Sequence, residues 1–521
     1  MSEQKGILKA AGILGSATML SRVLGMVRDM VISRLFGAGM ATDAFFAAFQ
    51  IPNMLRRFFA EGALTAAFVP TFSETLVQEG DERARELANI CFSLLTMVVA
   101  LITLLGIIFS PAIISLMFPG FHAMPGKFEL TVLLNRIMFP YLFFISLVAL
   151  CMGILNTVRH FFTPAISTVF LNIAMILAAL VLRPFFEYPI TALAVGVLIG
   201  GLVQLLLQLP VLWKKGFPVR LRFTLSDPKV NKIALLMLPA TVGVGVYYLN
   251  ITVGNILASL LPQGSVSYLY YAQRLFEFPQ GVFTVSVAQA VLPAMSRQAA
   301  AGDLAAMKDS LNYGVRLTLF VTIPALIGLV VCAEPLMTLL FMGGQFSYAM
   351  AQQSALALTY YATGLSCVAL VRVLAPAFYA LKDTKTPVVT AFIAFLLNLG
   401  FSLWLMGPLK HGGLALASSL SALGNMLLLF WLLRRKTGLL GGRRMLRTAL
   451  SAVAASLPMA AVAWWLTGLW DWSQPGHKLP GALVLAGVVL AALLVYAACS
   501  RLFRSEEAVE FWGLIQRKLQ R

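Results

Sequence analysis

Nine arginines fall inside or at the ends of apolar segments long enough to cross a membrane: Arg22, Arg28, Arg34, Arg56, Arg57, Arg136, Arg274, Arg316 and Arg372. A charge at the bilayer centre costs at least ~2.5–3.5 kcal/mol, so such residues face a watery cavity or a partner. Only Asp29, Asp43, Glu61 and Glu277 share that environment, and the surplus is cationic. Guanidinium groups left over after ion pairing suit phosphate, which they grip bidentately. The chemistry these residues could do is therefore recognition of an anion.

The residues fall into stripes. In the first apolar segment Arg22 and Asp29 stand seven apart and share a helix face, with Gly25 opening space between them. In the second, Gln50, Asn53, Arg57 and Glu61 recur at spacings of three and four beside Arg56, with Pro52 expected to kink the helix. In the eighth, Ser267, Tyr270 or Tyr271, Arg274 and Glu277 form a matching stripe that ends in a bend at Pro279. Arg34, Arg136, Arg316 and Arg372 lie nearer segment ends, where long side chains snorkel to the interface. The competing structural reading pairs these charges off as salt bridges, Arg274 with Glu277 for example.

The elements that must position them are transmembrane helices. Of the 521 residues 60% are hydrophobic and 12% charged, which excludes an ordinary soluble domain. Continuous apolar runs such as Leu94–Ile108, Pro140–Leu155 and Leu483–Ala498 lack the alternation of a membrane barrel. Arg22 and Arg28 interrupt what would have to be the core of a cleavable signal. The expected class is an all-α polytopic membrane protein of about fourteen helices. They lie near 8–34, 43–70, 88–110, 130–155, 164–183, 190–212, 233–258, 266–293, 312–333, 352–379, 387–406, 412–433, 448–468 and 481–502.

The net charge of +18 is distributed by topology rather than for nucleic acid. Lys214, Lys215, Arg220, Arg222, Lys229 and Lys232 crowd one loop, and Arg434, Arg435, Lys436, Arg443, Arg444 and Arg447 another. Alternate loops hold little beyond Lys127, Lys410 and Lys478. By the positive-inside rule the basic loops and both termini are cytoplasmic.

The chain also repeats itself. Val69-Pro70 and Leu292-Pro293 stand 223 residues apart, as do Pro164 and Pro387. Between them Gly80-Asp81 answers Gly302-Asp303, and Pro111 with Gly120 answers Pro335 with Gly344, at nearly the same spacing. Six spans per copy, an even number, imply two lobes, 1–223 and 224–446, related by a pseudo-twofold axis along the membrane normal with the site between them. Residues 447–521 add two helices and a cytoplasmic tail.

Enzyme signatures are absent. The histidines (His122, His160, His411, His477) are isolated, so no metal cluster is expected. The cysteines (Cys91, Cys151, Cys332, Cys367, Cys499) sit in apolar stretches as small core residues. There is no Walker loop, so no cofactor is expected, and energy would come from the membrane potential, an ion gradient or the substrate's own gradient.

Several stretches resemble the bacterial MurJ (MviN) family, within the multidrug/oligosaccharidyl-lipid/polysaccharide exporter superfamily. They are Ser21-Arg22-Val23-Leu24-Gly25-Met26-Val27-Arg28-Asp29, Phe36-Gly37-Ala38-Gly39-Met40-Ala41-Thr42-Asp43, Pro52-Asn53-Met54-Leu55-Arg56-Arg57 and Ala60-Glu61-Gly62-Ala63. The second half adds Gly264-Ser265-Val266-Ser267, Tyr270-Tyr271, Arg274, Glu277-Phe278-Pro279, Leu374-Ala375-Pro376 and Lys385-Thr386-Pro387. The resemblance implies a transporter, not an enzyme, in the bacterial inner membrane. Its substrate would be lipid II, the undecaprenyl-pyrophosphate-linked peptidoglycan precursor, flipped from the cytoplasmic to the periplasmic leaflet by alternating access.

It implies that Arg22, Arg28, Asp43, Arg56 and Arg274 are the demanding positions, with Asp29, Glu61 and Glu277 supporting. Together with the stripes, the expected substrate cavity is Arg22, Arg28, Asp29, Asn53, Arg56, Arg57 and Arg274, with Asp43, Glu61 and Glu277 in gating or salt-bridge roles. Asp43 is expected to pair with an arginine of the first or eighth span when the outward side is closed. The last two helices would help form a groove for the polyprenyl tail. Implied partners are lipid II, membrane lipids, and peptidoglycan-synthesis and division proteins. Members often carry an acid immediately before the arginine of the eighth span; here it is Gln273, whose part in coupling or salt-bridging is open. The rival readings are a flippase for another polyprenyl-pyrophosphate glycan, a cation/drug antiporter of the same superfamily, which would want an acid-rich cavity, and a non-transporting scaffold.

Overall fold

The computed structural model describes residues 2–56, 64–224, 226–474, 476, 478–503 and 507–508. Among them the chain forms eighteen α-helices and no strand beyond a single bridge between Gly343 and Phe346. The first are α1 (Ser2–Phe36), α2 (Met40–Arg56), α3 (Leu64–Ile108), α4 (Ser110–Met117), α5 (Lys127–Met138), α6 (Tyr141–Thr157), α7 (Phe162–Val181), α8 (Thr191–Lys214) and α9 (Pro228–Ser259). There follow α10 (Ser265–Pro279), α11 (Val285–Ala300), α12 (Leu304–Val331), α13 (Ala333–Phe341), α14 (Tyr348–Thr363) and α15 (Leu365–Ala380). The last are α16 (Lys385–Thr437), α17 (Gly442–Gly468) and α18 (Lys478–Leu502). Among the described residues eight helices are long and apolar enough to cross a membrane, or nine if the bent pair α14–α15 counts as one span. α1 is not among them, as its arginines lower its hydropathy.

Expected span breaks coincide with backbone that only special residues adopt. α3 holds the end of the second expected span and all of the third, broken at Gly80 (φ 82°, ψ −179°). Gly302, its counterpart in the repeat, also has positive φ, at 75°, and Asp303 beside it caps α12 through the Ala306 N–H. α16 holds the eleventh and twelfth spans and breaks at Lys410 (φ 50°, ψ −129°), a conformation that costs a non-glycine residue about 1–3 kcal/mol. The element order repeats as well. A long helix, a short proline-bearing helix and a helix pair broken in mid-span follow one another as α3, α4, α5–α6 and again as α12, α13, α14–α15. At Pro279 the eighth span passes through a π-helical turn, Gln280–Thr284, before continuing as α11.

The described chain forms two compact units, Met1–Val266 and Ser267–Arg521. This division differs from the repeat by α9, which packs against α3 and α4 in the first unit. In that unit α7 and α8 approach closely because Gly196 and Gly200 present no side chain. A Cβ on Gly196 would stand 2.8 Å from the Ala178 Cβ, and one on Gly200 2.6 Å from Leu171 Cδ1. A buried cluster around Phe118, Phe121, Phe139 and Leu142 joins α2 to α3–α6. In the second unit a buried cluster runs through Met295, Met307, Leu311, Phe378, Leu429 and Leu433. α17 and α18 pack on each other and leave Trp464, Trp465, Leu483 and Leu493 exposed, as lipid-facing helices do.

Basic loop residues read as topology charges are also ion-paired. Around the Gly80 break, Glu74 meets Lys232 at 2.9 Å, Glu79 meets Lys229, Arg83 meets Asp227 at 2.6 Å, and Glu86 meets Arg222 at 2.9 Å. The same loop is fastened by backbone N–H groups of Arg220 and Arg222 donating to Asn89 and Ser93. These contacts staple the start of α9 and the segment before it to α3.

The expected topology has a direct check. Cysteines placed near Lys214 and Arg435 should be shielded from a membrane-impermeant thiol reagent in intact cells, and cysteines near Gly39 and Lys478 should be labelled. Labelling of the first pair would reverse the orientation.

Candidate substrate-binding site

The expected site residues belong to α1, α2 and α10, and the structure sorts them by how committed they are. On α1, Arg28 is buried and fully engaged. Its Nε and Nη2 both donate to Asp29 Oδ1, at 2.9 and 2.7 Å, and its Nη1 donates to Asn172 Oδ1 on α7 at 3.0 Å. The Met175 thioether completes the pocket at 3.9 Å. Asn172 in turn donates to the Ser21 carbonyl, so one α7 amide fastens α1 at two levels. Gly25 faces the same asparagine, at 4.0 Å from where its Cβ would be. Arg28 therefore braces α1 against α7. Arg22 is exposed on the same helix. Burial, which residue spacing does not report, separates two arginines that the sequence treated alike.

On α2, Arg56 Nε donates to Asn53 Oδ1 at 3.1 Å, one turn away. This holds the guanidinium over the polar stripe while leaving it half-buried. Arg57 and Glu61 lie outside the described residues.

At the start of α2, Asp43 is buried. Its Oδ2 accepts from Lys127 Nζ on α5 at 2.8 Å and from the Gly264 backbone N–H at 2.7 Å. An arginine of the first or eighth span is the partner expected when the outward side is closed; the structure pairs Asp43 with Lys127, whose side chain is 2% exposed. The sequence reading had placed that lysine among outer-loop charges. The structure folds it inward over the Phe121 ring, 4.2 Å from the centroid. An acid in the first turn of α2 is also stabilised by the positive end of that helix. The signal that could have exposed the pair is charge scarcity: Asp43 and Lys127 both stand on the charge-poor side of the topology.

On α10, Tyr270 settles the choice between the two adjacent tyrosines. Arg274 Nη2 donates to Tyr270 Oη at 2.8 Å, and its guanidinium lies 4.8 Å from the centre of that ring. Tyr271 is buried against Phe341 and Phe346. Glu277 reaches Arg274 at 3.8 Å and accepts from Gln273 Nε2 at 3.1 Å. Gln273, the position where an acid had been looked for, thus orients Glu277. Arg274 is one-third exposed, which leaves its charge accessible.

Arg316 departs from its expected place as a snorkelling residue. It is buried on α12 and pairs with Glu507. Arg136 and Arg372 are exposed. Among the described residues no group of three or more histidines, cysteines and acids could hold a metal ion, and Cys91, Cys151 and Cys332 are buried free thiols.

A family model described as lipid II flippase MurJ matches residues 32–480. A probable lipid II flippase MurJ of Vibrio cholerae serotype O1 is 40% identical over 94% of this chain and 96% of its own length. A solved structure of lipid II flippase MurJ in an inward closed conformation covers 95% of this chain and 99% of its own, at 27% identity and a TM-score of 0.76. An inward-facing multidrug resistance MATE transporter of the MOP superfamily shares the fold over 82% of this chain and 98% of its own, at 14% identity and a TM-score of 0.69. With a match spanning most of its length, the chain belongs to the MurJ family, and it is an all-helical membrane transporter rather than an enzyme.

Proposed function

We propose that this chain flips lipid II from the cytoplasmic to the periplasmic leaflet of the bacterial inner membrane by alternating access. The observation that carries the reading is the full-length likeness to lipid II flippases, over 94% of the chain for the Vibrio relative. Within it, Arg22, Arg56 and Arg274 supply the cationic field for the pyrophosphate, since each keeps its guanidinium at least partly exposed. Arg28 and Asp29 brace the helix that carries Arg22. Arg57, outside the described residues, is a further proposed contact. The two copies of the repeat act as lobes that rock about the bound head group. Drive comes from the membrane potential or an ion gradient. Wall-synthesis and division proteins are the candidate partners.

The charge balance speaks against a cation antiporter, because Asp29 and Asp43, acids such a cavity would use, are held by Arg28 and Lys127. Proteoliposomes loaded with labelled lipid II test the reading. Arg22→Ala and Arg274→Ala should each slow flipping roughly 10–100-fold, the loss of one or two charge-assisted phosphate contacts, with unchanged membrane abundance. Arg274→Lys should restore only part of the rate, because an ammonium lacks the planar fork. Full activity of both alanine variants would sink the pyrophosphate assignment. Equal transport of a peptide-free polyprenyl-pyrophosphate glycan would favour the broader glycan flippase.

A further inference from the structure

The arginine stripe of α10 lies opposite the side on which that helix is docked. At about 100° per residue, Tyr268, Tyr271 and Phe276 fall within one arc of the helix, and Tyr270, Arg274 and Glu277 fall on the opposite arc. Each residue of the first arc meets a ring of the second unit. Tyr271 packs on Phe341 and Phe346, and Phe276 stacks on Tyr361 of α14 with ring centres 5.6 Å apart. Tyr268 meets the imidazole of His411 at 5.2 Å.

His411, isolated in the sequence, sits at the break in α16. Lys410 takes φ 50° there, and the histidine that follows is buried, at 4% exposure. Two glycines let the break close. A Cβ on Gly412 would stand 2.8 Å from the Tyr360 ring, and one on Gly413 2.2 Å from the Leu405 carbonyl oxygen. The Gln353 carbonyl of α14 can only accept, so His411 Nε2 carries the proton it donates, at 3.0 Å. About two turns further along α16, Ser419 Oγ donates to the Tyr360 and Tyr361 carbonyls at 2.8 and 3.2 Å. The second half of α16 thus grips α14 at two levels. It reaches α10 at both, directly at Tyr268 and through Tyr361 at Phe276.

We infer that His411 is a positioning residue: its ring, pinned to α14, sets the rotation of α10 about its own axis and so the direction in which Arg274 faces. It acts through Tyr268. Removing one of the ring contacts along the docked arc lets the helix turn about those that remain. Because the stripe lies on the opposite arc, any such turn carries the guanidinium with it. A binding constellation works only within roughly 10–20° of its proper geometry, so a small turn suffices to spoil it. The effect on transport rests on the reading of Arg274 as a pyrophosphate contact; the rotation of α10 does not.

Thiol reactivity reads the rotation. Ala272 is buried on the docked arc, so Ala272→Cys, with the five native cysteines replaced, should react slowly with a maleimide in the purified protein. Adding His411→Ala or Tyr268→Ala should speed the reaction on the order of tenfold, as a weakened local docking equilibrium does. Both together should be little faster than either alone, because they remove the same contact. A control cysteine replacing buried Ala452 of α17 should stay slow, which general loosening would not permit. If His411→Ala is not recovered, His411→Gln, which keeps a donor for Gln353 and loses the ring, is read on the same scale. Proteoliposomes with labelled lipid II separate positioning from bulk structure. The recovered His411 variant should slow flipping on the order of tenfold, and should add nothing once Arg274→Ala is present. Unchanged thiol reactivity, or a His411 loss that multiplies in full with the Arg274 loss, overturns the inference. Full activity of Arg274→Ala would instead remove the substrate reading of Arg274, and thiol reactivity would still decide the rotation.

Discussion

Asp43→Asn is expected to destabilise the folded protein by about 3–5 kcal/mol, the cost of leaving one partner of a buried ion pair uncompensated. The cost is high because Lys127 has little access to water, with 2% of its side chain exposed. In detergent this appears as a clear fall in unfolding temperature. Lys127→Met should cost a similar amount, because the buried Asp43 carboxylate loses its ion pair with Lys127. The double change Asp43→Asn with Lys127→Met should recover much of the loss, since a neutral amide beside a thioether needs no counter-charge. The recovery tests the pair itself: additive losses in the double variant would mean that the two residues act independently.

Function should not recover in parallel. Asp43 also accepts from the Gly264 N–H in the linker between α9 and α10, and an asparagine in that place offers a weaker, neutral acceptor. The linker should loosen, and cysteines near Gly39 should react faster with an external reagent in both Asp43→Asn and the double variant. We expect this to bias the resting population toward the outward-open state. Unchanged accessibility in a variant that no longer binds lipid would move Asp43 from the gate to the substrate site.

The second large effect concerns Arg28. Arg28→Ala should abolish support of growth and also lower the amount of folded protein, unlike Arg22→Ala or Arg274→Ala. The reason lies in its three donated hydrogen bonds to Asp29 and Asn172, all inside a buried pocket between α1 and α7. Removing it breaks the buried ion pair with Asp29, at about 3–5 kcal/mol. Arg28→Lys preserves charge but cannot span both partners from one ammonium, so partial rescue of abundance with poor growth is expected. Asn172→Ala separates bracing from binding. Asn172 is itself no candidate substrate contact, yet its loss should lower the unfolding temperature by removing its ties to Arg28 and to the Ser21 carbonyl. Immunoblots of membranes together with growth complementation check these outcomes. Normal abundance of Arg28→Ala with lost growth would return Arg28 to the substrate site.

Composition and periodicity determined the class of this protein. Long apolar runs, loop charge and a repeated set of anchors led to an all-helical transporter, because hydrocarbon imposes its length and polarity rules on every span separately. The arginine surplus named the chemistry, and the motifs around Arg22, Arg28, Asp43, Arg56 and Arg274 named the family. What one-dimensional spacing could not supply was which charge meets which. Arg28 finds Asn172 across 144 residues, Asp43 finds Lys127 across 84, and Arg316 finds Glu507 across 191. Helical spacing fixes only neighbours three and four apart on one rod, as for Tyr270, Arg274 and Glu277, which the sequence did place together. Pairing between rods depends on how the helices pack, on details such as the missing side chains of Gly196 and Gly200 that bring α7 and α8 together. Tertiary structure therefore decided which arginines brace the scaffold and which keep an exposed charge, because burial of a guanidinium is settled by the neighbours that fold against it.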